Sequence, residues 1–169
     1  MSSPLEILGE ALLDCTCQVL DDAGVPTSEA VPCAPGADWL FPMAVIGFGG
    51  ESVRGSISIE VQWEVLSASH PTKSTATEDL VDWVAELSNL VMGKLKTKLR
   101  GNAVAIQPAL PMTFTTRATE SGVTRPPQLQ YQLRTPDGLV VVRFSAAVDA
   151  TFQMGTSLRP EVVHGVDIF

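Results

Sequence analysis

This chain of 169 residues has two histidines, His70 and His164, three cysteines and one tyrosine. A histidine-based triad is hard to build from two histidines that sit in no motif, and no G-x-S-x-G elbow is present. His70 precedes Pro71 and reads as a solvated loop residue. An odd cysteine count argues against a closed disulfide framework and fits reduced thiols. Cys15 and Cys17 would point about 200° apart on a helix, so they cannot share a metal ion unaided. Cys33 lies further along, and small buried hydrophobes are the expected role for all three. Basic residues are also scarce, 11 Lys and Arg against 19 Asp and Glu, for a net charge of −8. Beyond the short run Lys94 to Arg100 they do not cluster, which excludes a phosphate-neutralising nucleic-acid surface. No apolar run approaches the length of a membrane span. The opening MSSPLEILGEALLD has no basic segment and carries Glu6, Glu10 and Asp14, so no secretory signal is expected and cytoplasm is the default. There is no P-loop. Gly47-x-Gly49-Gly50 falls between two candidate strands rather than before a helix, which removes a dinucleotide fingerprint. Glu78, Asp79 and Asp82 are explained as the first turns of a helix. Nothing here amounts to a self-contained active site.

Apolar residues make up 45% of the chain, charged residues 18%, and mean hydropathy is +0.20. A chain of that composition and length forms one domain with a sizeable core, expected to span residues 1–169. Pro4 to Ala23 reads as a helix, with Ser3 as N-cap, Pro4 at the first position, an apolar face through Leu5, Leu8, Leu12, Cys15 and Val19, and Gly24 as C-cap. The proline-rich stretch Val25 to Asp38 is a loop or short edge strand. Trp39 to Phe48 and Val53 to Val61 form a hairpin across Gly49-Gly50-Glu51-Ser52. The second strand alternates Val53, Gly55, Ile57, Ile59 and Val61 against Arg54, Ser56, Ser58 and Glu60. Gln62 to Ala68 extends that strand or starts a short helix. Val104 to Thr116 reads as a strand that Pro108 and Pro111 bend or push to an edge. Arg117 to Pro127 is a connection. Leu129 to Arg134 and Leu139 to Val148 form a second hairpin around Thr135-Pro136-Asp137-Gly138. The tail from Asp149 is ambiguous. The expected class is α+β, an antiparallel sheet of hairpins packed against two long helices.

The stretch Ala76 to Arg100 has the clearest period. Leu80, Val84, Leu87, Val91 and Leu95, with Val81, Met92 and Leu99, fill one arc about 140° wide on a helical projection. Thr77 is the expected N-cap and Gly101-Asn102 the stop. Opposite the core arc lie Glu86, Asn89 and Gly93, at offsets of three and four. A mid-helix glycine costs about 1 kcal/mol relative to alanine, so a purely structural surface has no use for it. The line suggests an acid and an amide offered to a partner, beside a gap that permits close approach. Chance also puts such residues on exposed helices, and the E-x-x-N-x-x-x-G spacing alone is a weak signal. Lys94, Lys96, Lys98 and Arg100 are expected to point to several sides and to be solvated.

Glu86-Leu87-Ser88-Asn89-Leu90-Val91-Met92-Gly93 resembles the signature helix of the CheC/CheX/FliY family of chemotaxis phosphatases. Gln107-Pro108-Ala109-Leu110-Pro111 is similar to the segment that follows that helix in the family. Ile46-Gly47-Phe48-Gly49-Gly50 and Gly55-Ser56-Ile57-Ser58-Ile59 are similar to its paired strands. The resemblance covers roughly Ala44 to Pro111. With one such helix the chain is more like CheX than CheC, which carries two, and the proline-rich loop and the tail have no counterpart in the pattern. The resemblance implies that the partner supplies most of the active site: a phosphorylated CheY-like receiver domain with its aspartyl phosphate and its own Mg²⁺, this chain having no cofactor. It implies that Asn89 orients the attacking water and that Glu86 pairs with the receiver's lysine. Leu90 and Gly93 then belong to the same partner-binding face, and Gly93 allows close packing against the receiver or against the chain's own sheet. It implies a homodimer as well. The other function class that fits is a non-catalytic adaptor for a receiver or for a chemotaxis or flagellar component.

Overall fold

A computed structural model describes residues 3–32, 42–115 and 128–152. Its elements run α1 (Pro4–Asp22), β1 (Glu29–Pro32), β2 (Met43–Gly49), β3 (Val53–Val61), α2 (Trp63–Ser69), α3 (Thr77–Gly101), β4 (Gln107–Pro108), β5 (Met112–Phe114), β6 (Leu129–Thr135) and β7 (Gly138–Val148). Cys33, Trp39, His164, the connection after Arg117 and most of the tail lie outside the described residues. The seven strands form one sheet, antiparallel at every pairing, in the order β1-β6-β7-β3-β2, with β4 and β5 both bonded to the far side of β2. This is the expected α+β class. Among the described residues no helix is long and apolar enough to cross a membrane.

Each helix end has a local cause. At the start of α1 the Ser3 hydroxyl accepts from the Glu6 N–H at 3.2 Å, and the Ser3 N–H donates to the Glu6 carboxylate at 2.6 Å, a reciprocal capping box. The Ser3 backbone N–H, and after it the Ser3 hydroxyl, hold the Glu6 carboxyl below its ordinary range. At the end, Gly24 takes φ +80°, the Val25 N–H reaches the Leu20 carbonyl and the Gly24 N–H the Asp21 carbonyl, which closes the helix by a left-handed residue. The same closure ends α3 at the expected Gly101-Asn102, with Ala103 as the left-handed residue at φ 60° and the Val104 N–H reaching the Leu99 carbonyl. Thr77 is not the N-cap of α3. The cap is Ala76, which has no side chain to bond with. Among the described residues no side chain caps the first-turn amides; Ser74, just outside the helix, accepts from the Ala76 N–H at 3.2 Å and donates to the Asp79 carboxylate at 2.6 Å.

α3 lies over β2, β3 and β5, and α1 over β6 and β7. Between them and the sheet sits one core. It takes Leu8, Leu12 and Val19 from α1, Leu80, Val84, Leu87, Val91, Leu95 and Leu99 from α3, and the alternate residues Ala44, Ile46, Phe48, Ile57, Ile59, Val61, Val140, Val142 and Phe144 from the strands. Each such leucine contributes roughly 1.5–3 kcal/mol by leaving water. Val81 sits half-buried at the margin of this arc. Ser88 is inside it, satisfied by donating to the Val84 carbonyl at 2.9 Å. Gln62 to Ala68 resolves into the short helix α2. The single strand expected over Val104 to Thr116 is two: β2 advances three positions from Phe48 to Val45 while the edge chain advances four from Pro108 to Met112. The extra residue is a bulge, placed where the two prolines interrupt the ladder.

The far face of the sheet carries Ser56, Ser58 and Glu60 beside Val141, Arg143 and Ser145. Glu60 is only 7% exposed and forms an ion pair with Arg143, whose Nε donates to Gln130 at 3.0 Å.

Candidate functional surface on the third helix

The rigid body under the candidate surface is α3 itself, 25 residues long and clamped along its length. Near its start the Trp83 indole N–H donates to the Ser69 hydroxyl of α2 at 2.9 Å, and the His70 ring stands edge-on to Trp83 at 5.5 Å. His70 is therefore half-buried against an aromatic ring, where the sequence suggested open solvent. Towards the other end, Lys94 pairs with Asp22 at 3.1 Å and Lys98 with Asp14 at 3.0 Å, both across to α1. These exposed pairs are individually weak; the buried arc from Leu80 to Leu99 fixes which way the helix is turned, and the pairs agree with it.

With the helix held so, Glu86, Asn89 and Gly93 all lie exposed on the side away from the sheet. Among the described residues a Cβ built on Gly93 meets nothing within 4 Å. The gap at Gly93 thus faces outwards, and of the two packing partners expected for it, the chain's own sheet is excluded. Leu90, beside Asn89, is 44% exposed. All four residues singled out in the sequence are therefore on the surface of one helix.

The chemistry this surface offers is limited. An exposed amide can donate and accept a hydrogen bond at once, and an exposed carboxylate can only accept. No histidine or cysteine stands on the line. Cys15, the buried thiol of α1, has its pKa pushed up chiefly by burial, and Cys17 of the same helix is half-buried. Among the described residues no three His, Cys, Asp or Glu side chains could hold a metal ion together. A small cleft of about 170 Å³ between Gly50–Arg54 and Ala147–Asp149 shares no residue with α3. The surface can therefore position a water molecule or a charged group that belongs to another molecule.

Two features escaped the sequence reading. The four basic residues at the end of α3 do not simply scatter: Lys94 and Lys98 face α1, and Lys96 and Arg100 do not pair with it. The spacing that separates them was present in the sequence. The second feature is Leu110 and Met112, 87% and 61% exposed around the edge bulge. A strand pattern cannot show that, because the bulge breaks the alternation that would have assigned them a side.

Residues 42–125 match the family model described as Chemotaxis phosphatase CheX. Among curated proteins none matches. Solved structures do. The chemotaxis protein CheX from Vibrio vulnificus superposes with a TM-score of 0.70 at 18% identity, over 86% of this chain and 100% of that one. The CheX-CheY-BeF3-Mg+2 complex from Borrelia burgdorferi contains a chain that superposes at 0.61 and 21% identity, over 81% and 96%. FliY from Thermotoga maritima superposes at 0.53 and 13% identity, over 87% and 92%.

Proposed function

Because the chain belongs to the CheC/CheX/FliY family of chemotaxis phosphatases, we propose that it hydrolyses the aspartyl phosphate of a CheY-like receiver domain by laying the outer face of α3 into the receiver's site. The observation that carries this reading is the unobstructed line Glu86, Asn89, Gly93 on a clamped helix. The Asn89 amide holds a water in line with the bond between phosphorus and the aspartyl oxygen. The water oxygen bonds to phosphorus as that bond breaks, the aspartate leaves as a carboxylate, and inorganic phosphate departs with the water's oxygen. Phosphoryl transfer of this kind needs alignment more than acid–base strength, so a neutral amide suffices where a carboxylate would be repelled by the phosphoryl charge. Glu86 pairs with the receiver's lysine and sets the register. Leu90 and Gly93 let the two surfaces close. The Mg²⁺ is the receiver's, and it neutralises charge on the phosphoryl oxygens. The Borrelia complex, with CheY and Mg+2 beside a chain of this fold, supports the partner class.

The proposal places the chain in the cytoplasm, acting as a single domain and as a homodimer. Among the described residues the sheet has two open edges for self-association, β1 and the β4–β5 side, and β1 is exposed along all four residues. Sedimentation equilibrium at micromolar concentration tests the dimer.

The deciding experiment follows the decay of phosphorylated receiver domains from the same genome. Wild-type protein is expected to accelerate decay. Asn89→Ala is expected to lose roughly 100-fold in rate through misplaced water, with an unchanged melting temperature because Asn89 is exposed. Full activity in Asn89→Ala would overturn the assignment. Binding without acceleration would make the chain an adaptor.

A further inference from the structure

The line through Asn89 is longer than the three residues that define it. Glu78, Asp82, Glu86, Asn89, Gly93, Lys96 and Arg100 follow one another at spacings of three or four. They therefore share one stripe, within about 80° on the helical projection. The stripe is sorted by charge. Three acids occupy its first half, the amide and the gap its middle, and two bases its last half.

The structure separates this stripe from the rest of α3. Eight Lys and Arg residues lie among the described residues. Lys94, Lys98, Arg134 and Arg143 are in ion pairs, and Lys73 donates to the Ala68 carbonyl. Lys96, Arg100 and the distant Arg54 have no such partner among the described residues. The two bases on the stripe are thus left over from packing α3 against α1.

Helix stability does not account for the arrangement. The helix dipole favours acids in the first turn and bases in the last, and its effect fades within that turn. That covers Glu78 and Arg100 but not Asp82, Glu86 or Lys96 in the helix Thr77–Gly101. The stripe also sets like charges four apart, Glu78 with Asp82, Asp82 with Glu86 and Lys96 with Arg100, which destabilises a helix. Interleaved signs would have stabilised it. A charge order that works against the helix is explained by what lies against it.

We propose that Lys96 and Arg100 form a second electrostatic anchor for the partner, reading an acidic patch on the phosphorylated receiver while Glu86 reads its lysine. The proposal rests on the phosphatase reading for the partner's identity. At 1.5 Å rise per residue, the acidic patch sits about 10–16 Å along the interface from the phosphoryl group. One base end and one acid end let the receiver dock in a single direction, and the positive end of a chain with net charge −8 draws it in. Lys96 and Arg100 bind the partner and do not touch the reacting atoms.

The test uses the full chain and receiver domains loaded with Mg²⁺ and beryllofluoride, a stable mimic of the phosphoryl group. Dissociation constants are measured at 50 and 300 mM NaCl, and decay of the phosphorylated receiver is followed in parallel. Variants are the double reversal Lys96→Glu/Arg100→Glu and, as a control for net charge, Arg54→Glu on β3, with melting curves to confirm folding. The double reversal is expected to raise the dissociation constant about tenfold and to flatten its salt dependence. The rate at saturating protein should stay within about twofold of wild type, and Arg54→Glu should have little effect. An unchanged dissociation constant, or an equal rise in Arg54→Glu, overturns the anchor and leaves the phosphatase reading standing if wild type still accelerates decay. A charge-dependent constant with no acceleration keeps the anchor and removes the phosphatase reading. If no receiver binds to wild type, both fall.

Discussion

At the scale of single residues, exposure and burial divide sharply between positions that look alike in sequence. Glu86 and Glu60 are both acids on the polar side of a periodic element, and both read as solvent-facing. Glu86 is exposed, whereas Glu60 is buried beside Arg143 and within the same cluster as Gln130. The difference arises because a strand's polar side is covered or open according to its neighbours, and the neighbours of β3 come from far along the chain. Removing one member of a buried pair leaves the other charged and desolvated. Glu60→Ala is therefore expected to destabilise the protein by about 3 kcal/mol or more, read as a lower urea midpoint. A loss under about 0.5 kcal/mol would mean that Arg143 finds solvent or another acceptor once Glu60 is gone. The sequence assigned Asn89 to the surface correctly, because a helix of this regularity has only one way to face its core.

At the scale of the element, α3 combines strong formers on its inner face with a glycine on its outer one. Gly93 has open space beyond its Cα, so Gly93→Ala should stabilise the helix by up to about 1 kcal/mol. If the receiver approaches there, the same substitution should weaken binding, and melting and titration of one variant would show opposite signs. A Gly93→Ala protein that melts higher and binds equally well would remove Gly93 from the interface. The boundaries of α3 were less legible than its faces. Thr77 looked like the cap, yet it lies inside the helix, the cap is Ala76, and Ser74 bonds only to the Ala76 N–H from outside. At the other end Gly101-Asn102 is the stop as expected, although the left-handed residue that follows the cap is Ala103. Local bonding alternatives of similar energy decide such ends, and residue preferences alone do not separate them. The bulge between β4 and β5 was announced only as two prolines. Its consequence, an exposed Leu110 and Met112, depended on the register against β2.

At the scale of the whole molecule, the two hairpins are joined through β3 and β7, paired over nine positions from Val53 opposite Val148 to Val61 opposite Val140. That seam sits in the middle of the sheet. Residues 42–125, the part that matches the family model, contain β3 but neither β7, β6 nor α1. A fragment of that span would expose one side of β3 and leave the α3 core face half covered. It is expected not to fold alone, with no cooperative thermal transition by circular dichroism, whereas the full chain should unfold in one. A folded fragment would show that β2, β3 and α3 are a sufficient core.

What the sequence determined by itself was whatever a single element carries in its own period: the two long helices, the inward and outward sides of α3, the two hairpins with their turns, and the outward line Glu86, Asn89, Gly93. These follow from spacings of a few residues, and no distant contact is needed to state them. Only the tertiary structure decided which strand lies beside which, that Glu60 is buried, that Gly93 faces away from the chain's own sheet, and that Lys94 and Lys98 are taken by α1 while Lys96 and Arg100 are not. The physical reason is the same in each case. A side chain's environment is set by the element packed against it, and that element is chosen by the collective burial of one core rather than by any local run of residues.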